Sequence, residues 1–117
     1  MNRLFIMAAA LGSLAGPAWA QSNLGWLHDA PAASFSKADI KLLVDALHKA
    51  LDSPTDGTAV TWENPAAGNG GSITPGKDPK GRAGCRLAHI QNRHVATQLT
   101  TDIVFCKKGG EWKYTPS

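Results

Sequence analysis

The chain has 117 residues, twelve Lys and Arg against nine Asp and Glu, a formal charge of +3 at neutral pH and two cysteines. That length holds one modest hydrophobic core, not two. Bases spread along the chain with acids between them exclude the concentrated basic stripe of a nucleic-acid-binding protein.

The first twenty residues read as an export signal. Met1-Asn2-Arg3 supply a short positive start, residues 4–16 are apolar, and Pro17 breaks the run. Ala18-Trp19-Ala20 place small residues at the two positions a signal peptidase reads, so cleavage is expected after Ala20, with Gln21 as the mature start. A membrane helix needs about 20 consecutive apolar residues, and this run is shorter. No cysteine follows it to accept a lipid. The expectation is a protein exported to the periplasm or the outer surface, with no membrane span and no lipid-anchor cysteine.

Residues 21–35 are rich in Ala, Ser, Pro and Gly without a sustained period, and read as a linker or a loosely docked arm. Trp26, Leu27 and Phe35 are the residues able to pin it down. Ser36 followed by Asp39 resembles a capping box and sets an acid near a helix's positive end. Ile40, Leu43, Val44, Leu47 and Leu51 then recur at three- and four-residue steps and predict an amphipathic helix that Pro54 ends. Such a stripe must pack on the strand-rich remainder of the chain.

Residues 58–62 are β-branched and aromatic enough for a strand. Residues 66–84 hold six glycines and two prolines and read as a long loop, with Ser72-Ile73-Thr74 its strand-like piece. Residues 85–91 and 95–106 predict two longer strands with Asn92-Arg93 as the best turn. A turn nearer Val95-Ala96 would instead set Cys85 and Cys106 opposite each other. Gly109-Gly110 turn the chain into a last strand, 111–114. The predicted fold of 36–117 is a single α+β domain, one N-terminal amphipathic helix packed on a small three- to four-stranded antiparallel β-meander. Two lone cysteines in an exported chain predict a Cys85–Cys106 disulfide. Closing a loop of about 20 residues stabilises by roughly 3 kcal/mol on the chain-entropy model.

The residues give no catalytic, metal or cofactor assignment. His28, His48, His89 and His94 lack zinc spacing; His89 and His94, five apart, fall on opposite faces of a continuous strand, and only a turn between them would gather them with Asp102. The cysteines lack the Cys-x-x-Cys spacing of a redox pair. Asp56, Glu63 and Asp102 are the acids available for paired-carboxylate chemistry, with no cleft implied. The candidate binding residues are Trp62 and Trp112, whose rings could form a shallow face with Arg86 or Arg93. Against that, Trp62 alternates with Val60 as an inward strand residue does.

Ala46-Leu47, Val60-Thr61-Trp62-Glu63-Asn64-Pro65, the loop Gly70-Gly71-Ser72-Ile73-Thr74-Pro75, Cys85-Arg86 and Cys106-Lys107-Lys108-Gly109-Gly110-Glu111-Trp112 together resemble the C-terminal domain of the bacterial 17 kDa surface antigen family, the Rickettsia and Legionella type surface proteins. The likeness runs over residues 46–114. Here Lys107 stands for that pattern's second arginine and Gly109-Gly110 for its Asp-Gly, and the family's glycine-zipper segment is not found. The resemblance implies an envelope protein of a Gram-negative bacterium, with no family-wide catalytic residue. The expected function is that of a non-enzymatic exported envelope protein, a structural or accessory binding module. The alternative is a small periplasmic inhibitor or ligand-binding protein that sets its Gly-rich loop and basic residues against an acidic partner.

Overall fold

The computed structural model describes residues 26–27 and 30–116; the expected export signal and its cleavage site lie outside the described residues. A short helix α1 (Ala30–Ala33) precedes the main helix α2 (Lys37–Asp52). Five strands complete the fold: β1 (Val60–Asn64), β2 (Asn69–Lys77), β3 (Cys85–His94), β4 (Thr97–Lys108) and β5 (Glu111–Tyr114). They form one curled antiparallel sheet in chain order, with β1 and β5 at its ends.

Helix α2 begins where its cap dictates. Ser36 Oγ accepts the Asp39 backbone N–H at 3.2 Å, and the Ser36 N–H donates to the Asp39 carboxylate at 2.8 Å, so both halves of the capping box are made. The helix stops at Ser53, whose extended backbone leads into Pro54. Leu43, Val44, Leu47 and Leu51 are buried with Ala46 and Ala50, while Ile40 sits half-buried at the margin. This stripe lies over β1 and β2, and α1 lies over β3 and β4. Trp62, Ile73, Ala88, Ile90 and Phe105 face it from the sheet. Two edge-to-face aromatic pairs fasten the segment before α2: Trp26 on Phe105, centroids 5.6 Å apart, and Phe35 on Trp62, 5.2 Å apart.

The sheet corrects two expectations. It has five strands, not three or four, and the fold is mainly β with one long helix. The added strand is β2, nine residues within the stretch read as a loop. The β3–β4 turn falls at Val95-Ala96, closed by the His94–Thr97 pair, and not at Asn92-Arg93. Val95 takes the left-handed conformation there, φ 55°, which a β-branched residue rarely adopts. With that turn Cys85 and Cys106 stand directly opposite and are bonded to each other.

Glycine lets β2 sit in the sheet because neighbouring side chains cross over it. Gly71 lies between Trp62 and Asn92 on the helix-facing side. A Cβ there would stand 2.1 Å from the Gln91 carbonyl oxygen and 2.9 Å from Trp62 Nε1, whereas at Gly76 it would meet nothing within 4 Å. Overpacking of that kind costs about 1–3 kcal/mol or more. Gly71→Ala is therefore expected to lower the melting temperature by about 10 °C, and Gly76→Ala to leave it nearly unchanged, as read by thermal denaturation.

Candidate functional site

Asp39 is the most enclosed charge in the domain, with no exposed surface. Besides Ser36, its carboxylate accepts Asn64 Nδ2 at 2.6 Å from the end of β1 and Asn69 Nδ2 at 2.8 Å from the start of β2. Those two residues are register partners, so the β1–β2 turn presents a pair of amides to the helix start. Asn69 is thereby oriented with Oδ1 outward, and it accepts His94 Nδ1 at 2.6 Å, which puts the imidazole proton on Nδ1. Burial pushes the Asp39 carboxyl up; the Ser36 N–H, the two asparagine amides and the Ser36 hydroxyl outweigh it and leave it below the ordinary carboxylate value.

The opposite end of α2 is held by Arg86. Its guanidinium donates to the carbonyls of Leu51 at 2.8 Å, Ala50 at 3.4 Å and Ser53, and to the Asp56 carboxylate. These are carbonyls of the helix end, at the negative pole of its dipole; Ala50's also accepts the Ser53 N–H. Trp112 joins the same clamp: its Nε1 donates to Asp52, the last residue of α2, at 2.8 Å, and Lys107 lies 5.5 Å above its ring.

Beside Arg86 opens a cleft of about 340 Å³ lined by Asp56, Lys77, Asp78, Arg82 and Cys85. Its cations are matched. Arg82 Nε meets Asp78 at 2.7 Å, and Lys77 and Arg86 share Asp56. The Arg82 side chain holds the Asp78 carboxyl far below the usual carboxylate range against the opposing effect of burial, and Arg86 and Lys77 lower Asp56.

The four candidate binding residues do not form one face. Trp62 is buried in the core, Arg86 and Trp112 grip the end of α2, and Arg93 lies on the side of the sheet away from the helix. Arg93 reaches across Gly70 to Glu63 at 2.8 Å; both residues are register partners of that glycine, which leaves room for the pair. On the same outer face Thr74, His89 and Asp102 form one row, with His89 Nδ1 2.6 Å from Asp102. His94 falls on the opposite face, and among the described residues no three His, Cys, Asp or Glu side chains converge. Sequence reading missed Asn64 and Asn69 as partners of Asp39, and His94 behind Asn69; the capping box was the visible signal, but not its burial.

The most basic accessible element is the β4–β5 hairpin. There Lys107 shares one side with its register partner Trp112 and lies 3.7 Å from Asp52, while Lys108 and Lys113 share the other side with Glu111, which pairs with Lys113 at 3.1 Å. Comparison with known proteins gives no family model, no curated protein and no solved structure that matches the chain.

Stability measurements test both helix ends. Asp39→Asn sets an amide where four side-chain and backbone donors need acceptors, and is expected to cost about 2–3 kcal/mol at neutral pH. Because the folded carboxyl lies below its unfolded value of about 3.9, the stability it supplies is complete above that pH and lost as the pH falls further. Urea titrations at descending pH are expected to show a shallower acid loss in the variant. Arg86→Met is expected to destabilise by on the order of 2 kcal/mol through the freed helix carbonyls, and Arg93→Met, which breaks a half-exposed pair, by under about 1 kcal/mol.

Proposed function

We propose that the chain is a non-enzymatic exported envelope protein, a disulfide-closed accessory module that works by binding, akin to the surface antigen domains it resembles in sequence. On this reading it resides in the periplasm or at the outer surface once the signal is removed. The observation that carries the proposal is the division of labour among its polar side chains. Arg86, Asp39 and Trp112 are engaged in holding the helix to the sheet, while the β4–β5 hairpin keeps Lys107 and Lys108 exposed at its tip, with Lys113 half-exposed on the same side as Lys108.

A cationic hairpin with an aromatic ring suits an anionic envelope polymer. Charge attracts the polymer over about a Debye length, and the ring offers a flat apolar surface beside the charge. The Cys85–Cys106 bridge lies at the root of the hairpin, with Cys106 paired to Lys113, so the lysines stand on a cross-linked base.

Co-sedimentation of the mature protein with purified, negatively charged cell-wall sacculi tests the reading. Binding is expected to fall at least several-fold between low and physiological salt, and to fall similarly in the Lys107→Glu/Lys108→Glu variant. Salt-independent retention, or retention unchanged in the variant, counts against it. One stoichiometric protein partner lost in that variant would favour the inhibitor reading instead.

A further inference from the structure

We propose that the outer half of β4 is a self-association edge, through which a second copy of this chain adds its own β4 antiparallel and joins the two sheets. Strand β4 runs for twelve residues, but β5 pairs only with Phe105–Lys108. Beyond that, the Thr115 N–H donates to the Val104 carbonyl at 2.9 Å, and among the described residues nothing pairs with β4 on that side between Thr97 and Ile103.

The direction of the free groups is fixed by alternation. The Lys107 N–H donates towards β3, to the Gly84 carbonyl, and the Val104 carbonyl points the other way, to Thr115. Odd-numbered residues of β4 therefore bond to β3 and even-numbered ones face outward. Gln98, Thr100 and Asp102 present their backbone N–H and C=O groups to the open edge.

This edge lacks the usual guards. Between Thr97 and Phe105 there is no Lys, Arg, Pro or Gly, and the one charge, Asp102, is already met by His89. Leu99 and Val95 beside it are 41% and 64% exposed. The β1 edge differs: it is five residues long and carries Glu63 paired with Arg93.

A second copy is the occupant that this pattern fits. Antiparallel pairing about a two-fold axis at Thr100 sets Thr100 against Thr100, and Gln98 against Asp102 on both sides. All three outward residues then form hydrogen-bonded pairs, the carboxylate meets a neutral amide, and no like charges oppose. Leu99 comes to lie beside Thr101 of the second copy. Moving the axis toward β5 would need the Val104 carbonyl, which Thr115 already occupies.

The test is the mass of the disulfide-intact protein in solution, by light scattering from about 1 µM to about 1 mM. Wild type is expected to pass from one to two copies with concentration. Thr100→Pro is expected to remain a single copy with an unchanged circular dichroism spectrum, because the N–H it removes is not used by β3. Under mild oxidation Thr100→Cys is expected to form a covalent dimer. Gln98→Cys is expected not to, since its two copies would lie about 13 Å apart along the strands. A wild type that stays a single copy throughout overturns the proposal, whether the edge is covered by the chain's own N-terminal residues or taken by another protein. So does a dimer that survives Thr100→Pro, or one that Thr100→Cys does not capture.

Discussion

One helix has to be held across one side of a five-stranded sheet, and its two ends are where that is hardest. Burying a helix end takes unpaired N–H or C=O groups out of water, each an expense of kilocalories unless a partner is supplied. Asp39 and Arg86 supply those partners from opposite directions. The acid belongs to the helix and is gripped by amides from the β1–β2 turn; the base belongs to β3 and grips the last carbonyls of the helix. Each charge lies at the pole of the helix dipole that favours it. The apolar stripe supplies most of the burial, but it would tolerate sliding. The two polar anchors fix where along the sheet the helix stops.

The same logic explains why residues with the look of a binding face are built into the frame. Trp62 needs a flat neighbour to lie in the core, and Gly71 provides it. Arg93 and Glu63 must cross a strand to meet, and Gly70 lets them. The glycine-rich segment is therefore a strand whose small residues make room for large ones on both faces, and its role is packing. Two polar atoms beside Gly71, Trp62 Nε1 and Asn92 Oδ1, are buried without a protein partner among the described residues. They are a donor and an acceptor on one row, an arrangement that suits a single bridging water.

The helix was legible in the sequence because its signals are local: Ser36 and Asp39 at the start, an apolar stripe at helical spacing, and Pro54 at the end. Strand β2 was not, because Gly70, Gly71, Pro75 and Gly76 each weigh against a strand in isolation, and their justification lies in β1 and β3. The β3–β4 turn was misplaced for a related reason. Asn92-Arg93 has better turn chemistry than Val95-Ala96, but the disulfide and the inward alternation of Ala88, Ile90 and Asn92 demand a register that only the later turn gives. Asp39 was readable as a cap and unreadable as a buried hub, since Asn64 and Asn69 lie 25 and 30 residues away.

Strand β4 carries two surfaces of opposite character, and the disulfide stands between them. On one side of Cys106 the strand is paired on both edges and leads into the lysines of the hairpin; on the other it runs out past the end of β5 with one edge unpaired among the described residues. Charge keeps the first part apart from other copies of itself, because bringing two hairpins together would oppose lysines. The second part has no such repulsion. A chain that associates along β4 would therefore do so by its outer half alone, leaving both basic hairpins free and far apart at the two ends of the joined strands. Two copies of a weak cationic surface on one rigid sheet bind an extended polymer far better than either does alone, because the second contact is made within the complex. In that arrangement the short reach of β5, which looks like an unfinished sheet, sets the spacing between the two basic hairpins.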